Sequence, residues 1–487
     1  MGEDRRVTDP DVVVVGSGPN GLAAAVTAAR AGLSVLVVEA ADRPGGAART
    51  EATTLPGFRH DLGAAVHPMA VASPFFRRFG LGDRVTLRTP ELSWAHPFED
   101  GTAALAWRDL GRTAAGLGPD GPAYARLLGP SVAHARAIAR FTLGPVLRVP
   151  PDPLVAVRFG LAALDQGGPL WQRRWRGRDA PALLTGAMAH TVRPMPTLPP
   201  AAAGLALAVQ GHAGGWPVPV GGTQAIVDAL VADLVAHGGR IETGRAVEDL
   251  AELPPARAVV LDTSVPAVLR LAGARLPGAV RAWLRTFRFG AGIGKVDYAL
   301  DGPVPWRDQA TRTTATVHLG GTRAEIAAAE RAVAAGRVPD RPYVLVAQPS
   351  VLDPSRAPAG KHVLWTYTHL PNGSTLDPTE LITAEIERVA PGFRDLVLAS
   401  TASSARDIGA WDRNLAGGDL AAGAVTLRQL LARPLPTADP WHLADGLYLC
   451  SAAAAPGPGV HGQGGYLAAR SLLQREFGVR TPPSLAP

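Results

Sequence analysis

Cysteine and lysine are almost absent from this chain of 487 residues. The one cysteine, Cys450, cannot form an intramolecular disulfide, so folds built on disulfides and enzymes that need a redox-active cysteine pair are excluded. Lysine occurs only at Lys295 and Lys361, and arginine supplies the other basic side chains. The formal net charge of +6 is small for this length, and the absence of a long basic block argues against nucleic-acid binding.

Long apolar stretches are also missing. No run reaches the roughly 18 apolar residues of a membrane-spanning helix. The N-terminus opens polar and passes directly into a short apolar segment, which is not the pattern of a secretory signal. We therefore expect a cytoplasmic protein. The composition, 47% hydrophobic and 18% charged, is typical of a globular protein with a large core.

A strand, a helix and a second strand are predicted near the N-terminus. Residues 12–15 are a continuous apolar run, which is typical of a strand buried on both faces. The helix is predicted from Pro19 to Ala31, with Gly32 as its stop, and residues 35–38 form the second strand. This order of elements indicates an α/β fold.

The rest of the chain changes character several times. Residues 75–215 are rich in Ala, Pro and Arg and have few strand-like runs, so we expect a mainly helical insertion. Residues 216–270 return to an α/β pattern, with a helix for which Thr223 is the expected N-cap. Residues 280–400 contain strand-like segments that indicate a second sheet, and residues 446–478 indicate a strand, a glycine-rich turn and a helix.

Gly16, Gly18 and Gly21 stand in G-x-G-x-x-G order between the first strand and the helix. Gly16 permits a tight turn, Gly18 lets the backbone approach a pyrophosphate, and Gly21 lets the helix pack closely on the strand. The helix N-terminus offers N–H groups to the phosphates. Glu39, at the end of the second strand, is placed to accept hydrogen bonds from a ribose diol. The alternative is a glycine-rich turn without a ligand, but the surrounding elements favour a dinucleotide site.

The stretch after Glu39 distinguishes the two common dinucleotides. Arg43, Gly45, Gly46 and Arg49 form an R-x-G-G-x-x-R pattern. This pattern resembles the two-dinucleotide-binding-domain flavoproteins, where it lines the pyrophosphate and ribityl chain of FAD. The corresponding stretch of simple NAD dehydrogenases has no such pattern, so FAD is the expected cofactor. Arg49 is expected to contact that cofactor rather than solvent.

Several longer segments carry a family resemblance. GGAARTEATTLPGFRHDLGAAVHP, VPVGGTQAIVDALVADLVAHGGRIETGRAV and GLYLCSAAAAPGPGVHGQGGYLAAR follow one another along the chain. They resemble the phytoene-desaturase-related branch of the FAD-dependent amine oxidase superfamily, and most closely the subgroup of pyridine nucleotide-disulfide oxidoreductase domain-containing protein 2. The last segment departs from the family pattern, because Ser451, Ala455 and Pro458 stand where members often have glycine, histidine and glycine.

The resemblance implies an α/β fold in which a Rossmann-like FAD-binding domain is interleaved with an α+β substrate domain. The implied order is a first FAD-binding segment at 1–75, a mainly helical substrate or cap region at 76–215, a second FAD-binding segment at 216–275, a substrate-domain sheet with helices at 276–435 and a third FAD-binding segment at 436–487. Val247 is expected near the adenine, and Gly459 and Val460 beside the flavin. The full set of predicted FAD contacts is Gly16, Ser17, Gly18, Pro19, Asn20, Gly21, Glu39, Ala40, Arg43, Gly45, Gly46, Ala47, Arg49, Gly63, Ala64, Ala65, Val247, Ser451, Gly459 and Val460.

Two histidines are candidate catalytic residues. His67 follows the segment expected to reach the flavin, where it would act as a base or orient substrate; the alternative is a histidine held by backbone groups at a turn. His461 follows the glycine turn beside the expected flavin position, with a turn or helix-cap role as its alternative. Flavin performs the hydride chemistry itself, so a catalytic side chain is not required.

The predicted activity is the removal of hydride from an apolar or amphiphilic organic substrate, as in a desaturase, dehydrogenase or oxidase. Oxygen, a quinone or another acceptor would reoxidise the flavin. One alternative is an amine-oxidase-like enzyme, which an aromatic cage beside the flavin would favour. The other is a flavin-dependent isomerase or a flavin-binding protein without net redox turnover, and turnover without an external acceptor would point to the isomerase.

Trp171, Arg173, Arg174 and Trp175 interleave aromatic and basic side chains. Such a patch suits a membrane interface, where Trp anchors and Arg meets anionic headgroups, so peripheral membrane contact is one prediction. The alternative, which we favour, is a solvated bend with the tryptophans packed inward. Neither a metal site nor a nucleic-acid partner is expected.

Overall fold

The computed structural model describes residues 9–487, so residues 1–8 of the first predicted FAD-binding segment lie outside it. Its strands are, in chain order, β1 (Val12–Val15), β2 (Val35–Val38), β3 (Thr50–Glu51), β4 (His60–Asp61), β5 (Leu87–Arg88), β6 (Leu92–Pro97), β7 (Ala103–Trp107), β8 (Val218–Pro219), β9 (Arg240–Glu242), β10 (Ala258–Leu261), β11 (Gly292–Leu300), β12 (Thr316–Leu319), β13 (Val344–Ala347), β14 (His362–Leu370), β15 (Val397–Ser403), β16 (His442–Ala444) and β17 (Leu447–Leu449). Its helices are α1 (Pro19–Arg30), α2 (Pro68–Ala72), α3 (Pro74–Phe79), α4 (Leu81–Arg84), α5 (Leu110–Gly116), α6 (Gly121–Val132), α7 (Ala135–Thr142), α8 (Pro153–Gly167), α9 (Asp179–Ala189), α10 (Leu198–Ala213), α11 (Gln224–Ala236), α12 (Val265–Ala272), α13 (Gly278–Leu284), α14 (Arg323–Ala334), α15 (Thr379–Val389), α16 (Ala405–Trp411), α17 (Leu427–Leu431) and α18 (Gln463–Glu476).

The first sheet has the strand order β16–β17–β10–β1–β2–β9. Its strands from β17 to β9 run parallel, and β16 is antiparallel to β17. The central strands β1, β2 and β10 are buried at every residue, as expected for continuous apolar runs in a parallel sheet. Since the strands come from residues 12–38, 240–261 and 442–449, this sheet is assembled from three separated stretches of chain.

Helix α1 lies against this sheet and packs between α11 and α18. A Cβ on Gly465 of α18 would lie 1.8 Å from the carbonyl oxygen of Asn20 in α1. Glycine at this position therefore lets the two helices approach closely. That contact holds the glycine-rich turn before α18 beside the N-terminus of α1.

The second sheet has the order β15–β11–β14–β13–β12–β6–β7. Its neighbouring strands are antiparallel except β12 and β6, which are parallel. Strands β6 and β7 come from the region predicted to be mainly helical, and that prediction did not include them. All six residues of β6, LSWAHP, are buried. Histidine and proline interrupt its apolar pattern, which is why the pattern did not predict a strand.

Helix α9 packs on β6, β7 and β12, and α10 packs on α6, α8 and α9. These helices form a layer over the second sheet. Among residues 9–487, no helix has the length and apolar character needed to cross a membrane.

Candidate active site

A cavity of about 1090 Å³ extends from the N-terminus of α1 into the helical layer. One end is lined by the turn after β1, the end of β2 and the loop after β10. The other end is lined by α7, α8, α10, β13 and β14. Open α/β sheets bind ligands at the carboxyl ends of their parallel strands, and the first end of this cavity has that position.

The turn between β1 and α1 contains the close approaches that the glycine motif requires. Gly16 has φ of +99°, and a Cβ there would lie 2.9 Å from the carbonyl oxygen of Asp262. A Cβ on Gly21 would lie 2.3 Å from the carbonyl oxygen of Gly16. A larger side chain at either position would displace the N-terminus of α1, whose N–H groups suit a phosphate.

Glu39, at the carboxyl end of β2, is held by three donors. One carboxylate oxygen accepts the Ser17 N–H at 2.8 Å and the Ser17 hydroxyl at 2.5 Å, and the other accepts the Ala41 N–H at 2.8 Å. An ionised carboxylate has about four acceptor positions, so Glu39 can accept one further hydrogen bond. Because Glu39 also lines the cavity, a ribose hydroxyl is a fitting donor.

Arg49 brings a positive charge to the same end of the cavity. Its side chain is 14% exposed, and its Nε has no hydrogen-bond partner among the described residues. The carboxylates of Glu51 and Asp42 lie 3.6 Å and 3.8 Å from this guanidinium, beyond hydrogen-bond distance, so its Nε–H can still donate to an anionic pyrophosphate in the cavity. Arg43 is directed elsewhere, because it donates to the Thr50 carbonyl at 2.7 Å and does not line the cavity.

Most residues predicted to contact FAD line this cavity. They are Gly16, Ser17, Gly18, Pro19, Asn20, Glu39, Ala40, Gly46, Ala47, Arg49, Gly63, Ala64, Ala65, Val247, Ser451, Gly459 and Val460. Gly21, Arg43 and Gly45 lie behind the wall instead. Gly21 packs on the turn, and the Gly45 N–H donates to the Ser17 hydroxyl at 3.2 Å. The individual contacts with FAD stay predictions.

Asp262 is a residue of this site that sequence reasoning missed. It follows β10 directly, and its carboxylate accepts the Gly21 N–H at 2.9 Å. Burial raises the pKa of this carboxyl to about 7, and the negative charges of Glu39 and Asp412 act in the same direction. The sequence could have identified Asp262 by its position immediately after a strand of the parallel sheet, because ligands bind at that end of the strands.

His67 lines the cavity and is 2% exposed. The Thr223 hydroxyl donates its proton to the Ala64 carbonyl at 2.5 Å, so it accepts a hydrogen bond from His67 Nε2 at 2.8 Å. The lone pair of the neutral ring is therefore on Nδ1. Burial lowers the pKa of His67 to about 4, which keeps the ring neutral at physiological pH.

The contact with Ala64 also corrects the role expected for Thr223. The residue precedes α11, but its side chain makes no capping hydrogen bond to that helix. Because its hydroxyl proton is donated to Ala64 and its oxygen accepts from His67, Thr223 links the cavity wall to α11 instead.

His461 does not line the cavity, and backbone groups occupy both of its ring nitrogens. Nε2 donates to the Gly457 carbonyl at 3.2 Å, and Nδ1 accepts the Gln463 N–H at 3.1 Å. The ring is fully buried, and burial lowers its pKa to about 4. His461 fastens the turn before α18, so the turn role replaces the catalytic role expected from its position in the sequence.

The far end of the cavity is an apolar chamber whose aromatic wall was not predicted. Trp365 and Tyr367 meet edge to face with ring centroids 5.3 Å apart, and Trp216 lines the same cavity. His190 also lines it, with its Nε2 3.0 Å from His318 Nε2. Burial lowers the pKa of His190 to about 3, so this ring is neutral at physiological pH. The alternation of aromatic residues along β14 was the available signal, since alternate residues share a face.

The two tryptophans of the segment 171–175 differ in burial, because Trp175 is buried and Trp171 is half-buried. Trp175 is 7% exposed, and the Arg323 guanidinium lies 4.3 Å from the ring centroid of Trp171. Arg173 and Arg174 are exposed. The structure therefore has Trp175 packed inward, as the favoured alternative expects, and membrane contact through Trp171, Arg173, Arg174 and Trp175 stays a prediction.

Comparison with known proteins agrees with this geometry. Residues 14–79 match the family described as NAD(P)-binding Rossmann-like domain. The chain is 28% identical to pyridine nucleotide-disulfide oxidoreductase domain-containing protein 2 of Rattus norvegicus, over 95% of this chain and 93% of that protein. A stretch of 62 residues is 55% identical to hydroxyneurosporene desaturase of Rhodobacter capsulatus and covers 13% of this chain and 12% of the desaturase. A solved structure of a putrescine oxidase variant matches with a TM-score of 0.61 at 17% identity, over 96% of this chain and 99% of that one, which shows the shared fold.

The glycine-rich turn at residues 16–21 is called the glycine cradle below. This cradle, the Rossmann-like sheet and these relatives define an FAD-dependent oxidoreductase. FAD is its cofactor, as the R-x-G-G-x-x-R pattern predicted. The subgroup predicted from the sequence includes two relatives matched over nearly their full length, pyridine nucleotide-disulfide oxidoreductase domain-containing protein 2 of Rattus norvegicus and Mus musculus. The fold prediction, a Rossmann-like FAD domain interleaved with a substrate domain that has its own sheet, is confirmed.

Proposed function

We infer that this oxidoreductase removes a hydride from an apolar or amphiphilic organic substrate, in a desaturase, dehydrogenase or oxidase type of reaction. The observation that carries this inference is the continuity of the cavity. The glycine cradle at α1 and the apolar chamber beside β14 belong to one space. A substrate in the chamber therefore lies against the ligand held by the cradle, between largely apolar walls.

The reaction balances as a two-electron oxidation. One C–H bond of the substrate loses a hydride, the adjacent atom loses a proton, and a double bond forms between the two atoms. FAD, when bound, is the hydride acceptor. The two electrons then pass to oxygen, a quinone or another two-electron acceptor. His67 lines the cavity with a lone pair on Nδ1, so its ring is the candidate acceptor for the proton.

An amine-oxidase-like reaction is the second candidate, and one observation favours it. The rings of Trp365 and Tyr367 stand at 87° to each other in the wall of the chamber. Such a pair of aromatic faces suits the nitrogen of an amine as well as a hydrocarbon. The names of the matched proteins differ in the same way, since one is a desaturase and another a putrescine oxidase.

Anaerobic reduction of the bound flavin distinguishes these reactions. The purified holoenzyme is mixed with apolar alkenes and terpenoids in one series and with primary amines in another, and loss of the flavin absorbance is recorded. We expect bleaching by an apolar substrate. Bleaching by amines alone would favour the second candidate. Conversion of a substrate without bleaching and without an external acceptor would indicate an isomerase.

A variant that fills the chamber gives the control. Ala202 of α10 lines the cavity. Ala202→Trp is expected to retain FAD, because the cradle is formed by other elements, and to lose reduction by the substrate. If the variant were reduced as fast as the wild type, the chamber would not be the substrate site.

A further inference from the structure

Exposed apolar side chains are concentrated in one short stretch of the chain. More than half of the exposed large aliphatic and aromatic residues among the described residues lie between positions 146 and 170. They are Val146, Leu147, Val149, Leu154, Val157, Leu161, Leu164 and Leu170, with Val149 the most exposed at 86%. Single exposed apolar residues are ordinary on protein surfaces, but a contiguous group marks an interaction surface. We call residues 146–170 the apolar surface.

Helix α8 forms the centre of the apolar surface. Leu154, Val157, Leu161 and Leu164 are 63%, 59%, 60% and 58% exposed, and their spacing of three or four residues places them on one face. Phe159 faces the opposite way and is 3% exposed in the wall of the cavity. The helix is therefore apolar on both faces, which is the pattern of a helix buried on both sides. One side lacks a partner within residues 9–487.

The charges around the apolar surface are positive. Residues 143–178 contain six arginines and two aspartates. Arginines already pair with both aspartates, since Arg140 lies 3.0 Å from Asp152 and Arg174 lies 3.0 Å from Asp165. The exposed arginines of this stretch without an ion pair among the described residues are Arg148, Arg158, Arg173 and Arg176. The surface therefore combines exposed leucines with unneutralised cations.

We propose that the apolar surface docks on an anionic lipid bilayer, with α8 lying in the plane of the interface. Leucines on one face enter the acyl boundary, and arginines meet the anionic headgroups. A second copy of this chain fits less well. A two-fold interface centred on α8 would bring each Arg158 towards the same residue of the other copy, and the aspartates that flank α8, Asp152 and Asp165, are already paired.

The opening of the chamber lies near the apolar surface, and this suggests a route for substrate entry. The route rests on the proposed function. Phe159 and Gly160 of α8 line the apolar chamber, as do Leu427 and Leu431 of α17, which are 50% and 40% exposed. The chamber thus reaches the protein surface beside the apolar surface. A lipid-soluble substrate would pass from the bilayer into the chamber between these two helices without crossing water.

Vesicle flotation of the intact holoenzyme tests the docking itself. Vesicles of phosphatidylcholine alone are compared with an equimolar mixture of phosphatidylcholine and phosphatidylglycerol. We expect binding to the anionic vesicles that weakens with added salt. Leu154→Gln combined with Leu161→Gln is expected to weaken partitioning about a hundredfold, because full burial of each leucine contributes about tenfold or more. The matched control combines Val235→Gln and Leu398→Gln, at 57% and 46% exposure elsewhere on the surface, and is expected to bind as the wild type does.

A charge variant separates the electrostatic component of the docking. Arg158→Gln combined with Arg173→Gln is expected to weaken binding about fivefold for each residue on anionic vesicles only. Three results would overturn the proposal: no binding of the wild type to either vesicle, equal binding of the leucine variant and its control, or a dimer in light scattering that the leucine substitutions dissociate. Flotation needs no turnover, so its failure is distinguishable from failure of the proposed reaction.

Discussion

Asp262 is expected to make the affinity for FAD depend on pH. Its carboxylate accepts the Gly21 N–H at 2.9 Å, at the turn where the pyrophosphate is expected, and burial raises its pKa to about 7. Below that pH the carboxyl is neutral, and above it a carboxylate faces an anionic cofactor. Because bound FAD adds negative charge, it raises the pKa of Asp262 further, and binding then takes up a proton.

The size of the effect follows from this linkage. Above the pKa of about 7, each pH unit weakens FAD binding by up to about tenfold, since one proton is taken up per FAD bound. The ionisation of the Asp262 carboxyl also affects the stability of the folded chain. Its pKa in the folded chain lies above the ordinary value of 3.8, so the stability that it contributes is complete below pH 3.8 and is lost as the pH rises to about 7.

Titration of FAD into the deflavinated protein, followed by flavin fluorescence at about pH 6 and about pH 8, measures this dependence. The wild type is expected to bind more tightly at the lower pH. Asp262→Asn keeps an acceptor for the Gly21 N–H but cannot ionise, so it is expected to bind FAD with nearly equal affinity at both. Asp228→Asn, an exposed position on α11, is the control and keeps the wild-type slope. An unchanged pH dependence of FAD affinity in Asp262→Asn would show that Asp262 is not the group that takes up the proton.

Three further predictions concern packing, proton transfer and a buried ion pair. Gly21→Ala is expected to destabilise the fold by about 1–3 kcal/mol and to weaken FAD retention, because its Cβ would lie 2.3 Å from a carbonyl oxygen; Gly82→Ala, with nothing within 4 Å, leaves thermal unfolding unchanged. His67→Asn is expected to slow substrate-dependent flavin reduction about a hundredfold while FAD stays bound, and equal rates would remove His67 from the reaction. Arg356→Met removes the partner of fully buried Asp61 at 2.8 Å and is expected to cost about 3–5 kcal/mol in denaturant unfolding; a loss under 1 kcal/mol, roughly that of a surface ion pair, would contradict it.

The FAD domain could be predicted from the sequence because its signals are local. The strand at residues 12–15 has the same bounds in the structure as in the prediction, because a continuous valine run fits a strand covered on both faces. The glycines, Glu39 and Arg49 lie within one short stretch, and the backbone turn brings them together directly. Cofactor and fold class followed from that stretch.

The chamber could not be predicted because its residues are distant in the sequence. Trp216 and Trp365 meet the same cavity only after the second sheet has formed around β6, a strand whose histidine and proline concealed it. For His461 the sequence predicted a site residue that the structure places outside the cavity. Its place after a glycine turn pointed to the flavin, but the hydrogen bonds that hold the turn point its ring inward. Side-chain direction at a turn depends on such contacts and not on sequence spacing.

The identity of the bound chromophore shows whether this protein holds FAD. The visible spectrum of the purified protein is recorded, the protein is then denatured by heat, and the released compound is separated by chromatography. We expect an oxidised-flavin spectrum and free FAD at close to one equivalent per chain. A colourless protein that also fails to bind added FAD would contradict it, and the cavity at the N-terminus of α1 would then need a different ligand.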